Sequence, residues 1–127
     1  MNDPMNSAHR LGERGEALAW NFLRKQGYSI LEKNYRTRFG EVDVVAQKQG
    51  VLIFLEVKTR RDSRFGLPSE AVDWKKRRKL GQVAEAYLIA KGLENRPARF
   101  DILSVIWDGT GEPDFSLLED AFTLEEA

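Results

Sequence analysis

Two apolar runs rich in β-branched residues stand close together near the middle of the chain, at Glu41–Ala46 and Val51–Val57. Within each run, side chains alternate between the two faces of an extended strand. A short polar link separates the runs, and its Gly50 can supply the positive φ that a tight turn needs. The pattern predicts a β-hairpin.

The length of the hairpin loop decides which side chains face one another. If the loop has two residues, Lys48 pairs with Val51, and counting outward places Asp43 opposite Glu56 on the same face. Two carboxylates in that arrangement lie about 5 Å apart between Cβ atoms, and they destabilise a sheet unless a cation compensates them.

These carboxylates are candidate ligands of a divalent cation. Mg²⁺ prefers hard oxygen donors, and it commonly combines one or two carboxylates with water and substrate phosphate. Lys58 lies two residues beyond Glu56 on the same face, where its ammonium group could hold an attacking water or stabilise charge on a phosphate oxygen. The alternative is an ordinary Glu56–Lys58 charge pair at the exposed end of a core strand. An aspartate on the adjoining strand favours the metal site.

The N-terminal part predicts a helix over residues 9–26, with Gly27 as its C-terminal cap. Small residues at positions 15 and 19 would let it approach a sheet closely, and its apolar stripe contains Leu11, Leu18, Phe22 and Leu23. Glu16 falls on the flank of this stripe. By the helix pattern alone, a solvated carboxylate paired with a cation is favoured over a third carboxylate closing over the metal.

A strand predicted over Tyr28–Tyr35 leads into basic residues that alternate with aromatic ones. Arg36 and Arg38 lie among Tyr35, Thr37 and Phe39 in this segment. Such interleaving suits a nucleic-acid backbone, and it also suits any exposed hairpin bend.

The chain becomes strongly basic after the proposed catalytic strand. A loop is predicted over Thr59–Leu67, followed by a helix with Asp73 as N-cap that runs to Lys91 before Gly92. The first turns of this helix carry five cations, at positions 75–79. Positive charge there opposes the helix dipole, and a bound phosphate backbone would offset that cost.

Arg99–Trp107 predicts a buried strand, parallel to the second hairpin strand because a helix connects the two. Asp101 within it is expected to be structural. Asp114–Phe122 predicts a short edge strand before an acidic, frayed end.

Composition predicts a single domain over residues 1–127, with a core of about residues 9–107 and an acidic C-terminal segment over residues 108–127. Residues 1–107 hold all 20 Lys and Arg but 13 of the 20 acids, which leaves a net charge of +7 there. The lack of cysteine, of an apolar leader and of any membrane-length apolar segment predicts a cytoplasmic protein. With only His9 and no Gly-rich phosphate loop, neither zinc hydrolysis nor nucleotide triphosphate hydrolysis is expected.

The element order and the positions of Glu16, Asp43, Glu56 and Lys58 resemble the core of the PD-(D/E)XK nuclease superfamily. More narrowly, GERGEALAWNFL, NYRTRFGEVDVVA, FLEVKTR and AVDWKKRRKL are similar to the uncharacterised YraN-like family of small bacterial proteins. The similarity covers most of residues 10–107. The superfamily's Pro-Asp pair is here Val42-Asp43, a variation that keeps the carboxylate.

This resemblance implies an α/β fold with a restriction-endonuclease-like αβββαβ core, in which helices flank a mixed sheet. It implies Mg²⁺ or Mn²⁺ at Asp43 and Glu56, a water-positioning role for Lys58, and Glu16 as a further ligand. Similarity to archaeal Holliday-junction resolvases implies branched DNA as substrate and a homodimer.

The sequence therefore predicts a metal-dependent endonuclease that acts on nucleic acid, with DNA favoured. The Val57 carbonyl is a predicted additional metal ligand. The residues predicted to contact phosphates are Arg36, Arg38, Arg60, Arg61, Lys75, Lys76, Arg77 and Arg78. The alternative is a non-catalytic nucleic-acid-binding accessory protein on the same fold, and a third possibility is a protein-interaction module, for which salt-sensitive DNA affinity is not expected.

Overall fold

The computed structural model describes residues 4–62 and 73–127, with side chains from residue 13 onward. Its elements in chain order are α1 (Pro4–Lys25), β1 (Ser29–Thr37), β2 (Gly40–Lys48), β3 (Val51–Arg60), α2 (Trp74–Lys91), β4 (Ala98–Ile106), β5 (Asp114–Phe122) and a 3₁₀-helix (Leu124–Glu126). The Leu11 side chain, which was predicted to belong to the apolar stripe of the first helix, and residues 63–67 of the predicted loop lie outside the described residues.

The five strands form one mixed sheet in the order β1-β2-β3-β4-β5. β3 and β4 are parallel, and the other neighbouring pairs are antiparallel. α2 lies in the connection between the two parallel strands, as the helix between two apolar runs predicted. The fold confirms the predicted α/β class, with a sheet flanked by helices and a restriction-endonuclease-like core.

The two helices pack on opposite faces of the sheet, so the core has two layers. On the α1 face, Ala19 and Leu23 meet Val44, Ile53 and Leu55. On the α2 face, the cluster contains Val45, Phe54, Leu80, Val83, Tyr87 and Phe100. Successive residues of a strand point to opposite faces of the sheet, and both faces of β2 and β3 are covered by a helix. These strands are therefore apolar on both faces and carry polar side chains mainly at their ends.

Both helix ends that the sequence marked with glycine are confirmed. Gly27 has φ +95° and follows α1, while Gly92 caps α2 in the left-handed conformation. Asp73 is the N-cap of α2, as predicted, and its side chain accepts a hydrogen bond from the backbone N–H of Lys76 at 2.9 Å.

A small residue fixes the close approach of α1 to the end of β3. A Cβ atom added at Gly15 would lie 2.6 Å from Cγ2 of Thr59. The following residue, Glu16, is consequently held near the C-terminal end of β3.

Several strand boundaries differ by one or two residues from the sequence-based predictions, and three differences are larger. α1 begins at Pro4 rather than at residue 9. The predicted loop at Thr59 is still strand, because β4 pairs with β3 as far as Arg60. The expected frayed end is instead ordered against α2, where Leu124 packs on the α2-side core and a Cβ at Gly81 would lie 2.7 Å from Cβ of Ala127.

Candidate active site

The predicted register of the β2–β3 hairpin is confirmed. Lys48 pairs with Val51, and the ladder continues as far as Val44 opposite Leu55. One step further, Asp43 uses its side chain in place of a backbone pair, and its Oδ2 atom accepts a hydrogen bond from the Val57 N–H at 2.7 Å. This bond fixes the Asp43 carboxylate beside the C-terminal end of β3, next to Glu56.

A local irregularity in β1 accompanies this position of Asp43. Asn34 has φ +52° and stands between the Lys33–Val44 and Tyr35–Val42 pairs, directly beside Asp43. Asparagine is one of the few residue types that adopts this conformation readily. The pairing register is the same on both sides of Asn34, so this irregularity is in the backbone conformation and not an inserted residue. The sequence signal for it was a single asparagine inside a strand pattern.

Glu56 is the most buried charged group of the site, with a side chain only 6% exposed. Its Oε1 atom lies 3.3 Å from Nζ of Lys58 and also 3.3 Å from Nζ of Lys76. A buried carboxylate needs such partners, because an unpaired charge away from water is strongly destabilising. The Glu56–Lys58 charge pair that was the alternative to a metal site is therefore present, although Glu56 is buried rather than exposed, and a second lysine joins it from α2.

Burial and charge repulsion both disfavour the ionised form of the Asp43 carboxyl. Burial raises the pKa of Asp43 to about 6, and the neighbouring charge of Glu56 acts in the same direction. The hydrogen bond from Val57 and the ammonium groups of Lys58 and Lys76 oppose this shift only in part. Two adjacent hard oxygen donors whose charges repel one another form an arrangement that a divalent cation fits.

The third predicted carboxylate does not complete a metal site in this structure. Among residues 13–62 and 73–127, no group of three or more His, Cys, Asp or Glu side chains lies close enough to hold a metal ion. Glu16 is half-buried on α1. The carboxylates that the structure brings together are thus Asp43 and Glu56, and the metal-ligand roles of these two, of Glu16 and of the Val57 carbonyl stay predictions.

The basic residues at the start of α2 divide into two groups. Lys75, Lys76 and Lys79 line one shallow cavity together with Asp73. Arg77 instead lies over the ring of Phe122, 5.1 Å from its centroid, and Arg78 lines a pocket with Leu124 and Ala127. Of these two groups, the lysines are the ones next to Glu56, because Lys76 both lines the cavity and forms an ion pair with Glu56.

The other predicted phosphate-binding arginines lie in the β1–β2 hairpin and at the end of β3. Arg36 forms an exposed ion pair with Glu41 at 3.0 Å in the hairpin. Arg38 in the turn lies 4.8 Å from the ring centroid of Phe39. Arg60 is half-buried at the end of β3, whereas Arg61 is exposed.

Sequence patterns did not indicate two of the contacts that build the site. They are the bond from Val57 N–H to Asp43 and the ion pair between Lys76 and Glu56. For the Lys76–Glu56 ion pair the sequence held one weak signal. Lys76 lies three residues after the predicted N-cap Asp73, which places it in the first turn of α2. The angle at which α2 crosses the sheet cannot be read from that spacing.

A second polar cluster lies away from the site and has a structural role, as expected for Asp101. This fully buried carboxylate accepts hydrogen bonds from the Tyr28 hydroxyl at 2.7 Å, from the Arg99 guanidinium and from the backbone N–H of Asp120. The contacts join Tyr28, just before β1, to β4 and β5.

No helix in the described parts of the chain is long and apolar enough to cross a membrane.

Comparison with known proteins places the chain in a family. A family model described as "Uncharacterised protein family UPF0102" matches residues 15–105. A UPF0102 protein of Alkaliphilus metalliredigens is 48% identical over 76% of this chain and 84% of its own length. UPF0102 proteins of Dictyoglomus thermophilum and Symbiobacterium thermophilum are each 45% identical, over 88% and 91% of this chain and 96% and 98% of their own lengths. The chain therefore belongs to the uncharacterised protein family UPF0102, which confirms the resemblance to YraN-like proteins.

Proposed function

We propose that this protein is a metal-dependent endonuclease that hydrolyses phosphodiester bonds in nucleic acid. The observation that carries the proposal is the position of Asp43. Its bond to the Val57 N–H puts a second carboxylate beside buried Glu56, within the reach of two lysines. A site with no chemistry to perform gains nothing from two repelling acids at the end of a sheet.

Asp43 and Glu56 would hold the metal ion, with Mg²⁺ or Mn²⁺ as the expected species. When bound, such an ion supplies Lewis acidity to the phosphate and a more acidic bound water. The protein's own contribution is to fix the two acids. Glu56 is fixed by burial and Asp43 by its backbone hydrogen bond, so the ligands need little rearrangement to meet a cation.

Lys58 would position the attacking water and stabilise charge on the phosphate. Its ammonium group lies 3.3 Å from the Glu56 carboxylate, and its side chain is about one-third exposed. The pair with Glu56 keeps this ammonium at the site while leaving hydrogen-bond donors for a water or a phosphate oxygen. Removal of a correctly placed donor of this kind typically costs on the order of 10²–10³ in rate.

Nucleic acid is the proposed substrate because cations surround the carboxylates. Lys75, Lys76 and Lys79 line the cavity at the start of α2, and Arg61 is exposed just beyond β3. Backbone contacts from such residues position a duplex without reading its sequence. DNA, including branched DNA, is the proposed polymer.

The test is cleavage of a labelled panel containing a four-way junction, a flap, a duplex and single-stranded DNA and RNA, with Mg²⁺ or Mn²⁺. We expect wild-type protein to cut at least one substrate, and Lys58→Ala and Asp43→Asn to lose cutting while they keep binding. Lys48→Ala is the matched control. Lys48 also pairs with a glutamate, Glu119 at 3.2 Å, but it lies at the opposite end of β2.

Equal activity in Lys58→Ala and Lys48→Ala would contradict the proposed site. Salt-dependent binding of the whole panel without metal-dependent cutting would favour the accessory-protein alternative instead.

A further inference from the structure

The Glu56 carboxylate is shared between two lysines of different origin. Lys58 lies on the same strand and has a proposed role at the phosphate. Lys76 comes from α2, yet its Nζ atom lies at the same distance, 3.3 Å, from the same Oε1 atom. Glu56 is also one of the two carboxylates, with Asp43, that are proposed to hold the metal ion.

The helix cap holds Lys76 in this position. Asp73 accepts a hydrogen bond from the backbone N–H of Lys76, and its carbonyl accepts one from the N–H of Arg77. The first turn of α2 is therefore fixed, and only the Lys76 side chain is left to move. That side chain is 37% exposed, and it also lines the cavity with Lys75 and Lys79.

The charges of the site are balanced in this arrangement. Two acidic groups, Asp43 and Glu56, face two basic groups, Lys58 and Lys76, and both lysines are ion-paired with Glu56. A divalent cation would add two positive charges within a few ångströms of both ammonium groups. At such distances in a partly buried site, repulsion between like charges is large enough to alter binding measurably.

We propose that Lys76 competes with the divalent cation for Glu56 and is released when a phosphate of the substrate draws it into the lysine-lined cavity. This inference rests on the proposed function and adds its regulation. Metal binding is weak while Lys76 pairs with Glu56, and it strengthens once nucleic acid occupies the cavity. By thermodynamic linkage, the metal ion must strengthen nucleic-acid binding by the same factor.

The first test measures Mg²⁺ binding to the nucleic-acid-free protein by calorimetry. We expect Lys76→Gln to bind Mg²⁺ at least about tenfold more tightly than wild type, a change in Kd that corresponds to about 1.4 kcal/mol. Lys76→Arg keeps the charge and should bind as wild type does. Lys79→Gln is the matched control. It removes one positive charge from the same cavity, but it leaves the ion pair between Lys76 and Glu56 in place. Its Kd should stay within about twofold of wild type.

The second test repeats the titration with a short DNA duplex present, against a blank of duplex alone. The duplex should tighten Mg²⁺ binding by wild type and leave Lys76→Gln unchanged. No tightening in wild type, or equal tightening in wild type and Lys76→Gln, overturns the release step.

The outcomes separate this inference from the proposed function. Equal Mg²⁺ affinity in wild type and Lys76→Gln, with binding lost in Asp43→Asn, leaves the metal site intact and overturns the competition. An equal gain in Mg²⁺ affinity in Lys76→Gln and Lys79→Gln also overturns the competition, because the loss of one positive charge anywhere in the cavity would then explain the effect. Absence of Mg²⁺ binding in every protein, Lys76→Gln included, removes the metal site and the proposed function together.

Discussion

Replacement of Asp43 by asparagine should stabilise the metal-free protein at neutral pH. Asparagine has nearly the same shape, and its carbonyl oxygen can still accept the hydrogen bond from Val57 N–H. What the substitution removes is a half-buried charge next to the charge of Glu56. The substitution therefore tests the energetic cost of the Asp43 charge while the geometry of the site stays the same.

The pKa of Asp43 gives the magnitude. Burial and the charge of Glu56 raise this pKa from 3.8 to about 6 in the folded protein. The folded state thus binds the Asp43 proton more tightly than the unfolded state does. A difference of this size corresponds to about 3 kcal/mol at pH values above both pKa values.

The sign of the pH dependence follows from the same comparison. Well below pH 3.8 the carboxyl is protonated in both states, and the wild type and the Asp43→Asn variant should have similar stability. As pH rises through the folded pKa of about 6, the wild type loses stability that the asparagine variant keeps. The advantage of Asp43→Asn should therefore grow between these values and stay constant above them.

The assay is urea unfolding in EDTA at about pH 4.5 and about pH 8, on either side of the folded pKa, followed by circular dichroism. Glu41→Gln is the control, because it removes an acid from the same strand whose ion pair with Arg36 is exposed. It should change the free energy of unfolding by less than about 1 kcal/mol at either pH. Added Mg²⁺ should reduce the stability difference at the higher pH, since it stabilises only the protein that binds it.

Two results would refute the reasoning. One is an Asp43→Asn protein that is less stable than wild type at the higher pH, which would mean that the charge itself supports the fold. The other is a stability difference that is the same at both pH values, which would mean that titration of Asp43 has no part in it.

Three further predictions concern the contacts that hold the site and the sheet in place, and urea unfolding checks each. Gly15→Ala should destabilise by about 1–3 kcal/mol although alanine normally favours a helix, because its Cβ would meet Thr59 at 2.6 Å. A second change, Thr59→Ala, should recover most of that loss, whereas a lack of recovery would contradict the proposed contact. Tyr28→Phe should cost about 1–2 kcal/mol by removing one donor from buried Asp101, with no change in Mg²⁺ affinity at the distant site. Asp73→Ala should cost about 1 kcal/mol by removing the cap of α2, and by loosening its first turn it should also tighten Mg²⁺ binding.

Local rules were sufficient for most of the fold. The cap at Asp73, the glycine ends of both helices and the Lys48–Val51 register were readable because each depends on residues close together in the chain. The parallel orientation of β4 followed from the helix that precedes it, because a helical crossover typically joins parallel strands. Boundaries that depend on distant partners were wrong, as at Thr59, where β4 extends the strand, and at the C-terminus, where α2 orders the end.

The sequence alone also determined which chemical groups the candidate site contains. Strand parity and a two-residue loop placed Asp43, Glu56 and Lys58 at the same end of the sheet, because alternation and register are properties of the backbone itself. Tertiary structure decided how these groups are satisfied. It set the bond from Val57 to Asp43, the burial of Glu56 and the arrival of Lys76 from α2, because these depend on the twist of the sheet and the angle at which a helix crosses it. Those quantities arise from the packing of the whole core, and no short stretch of sequence contains them.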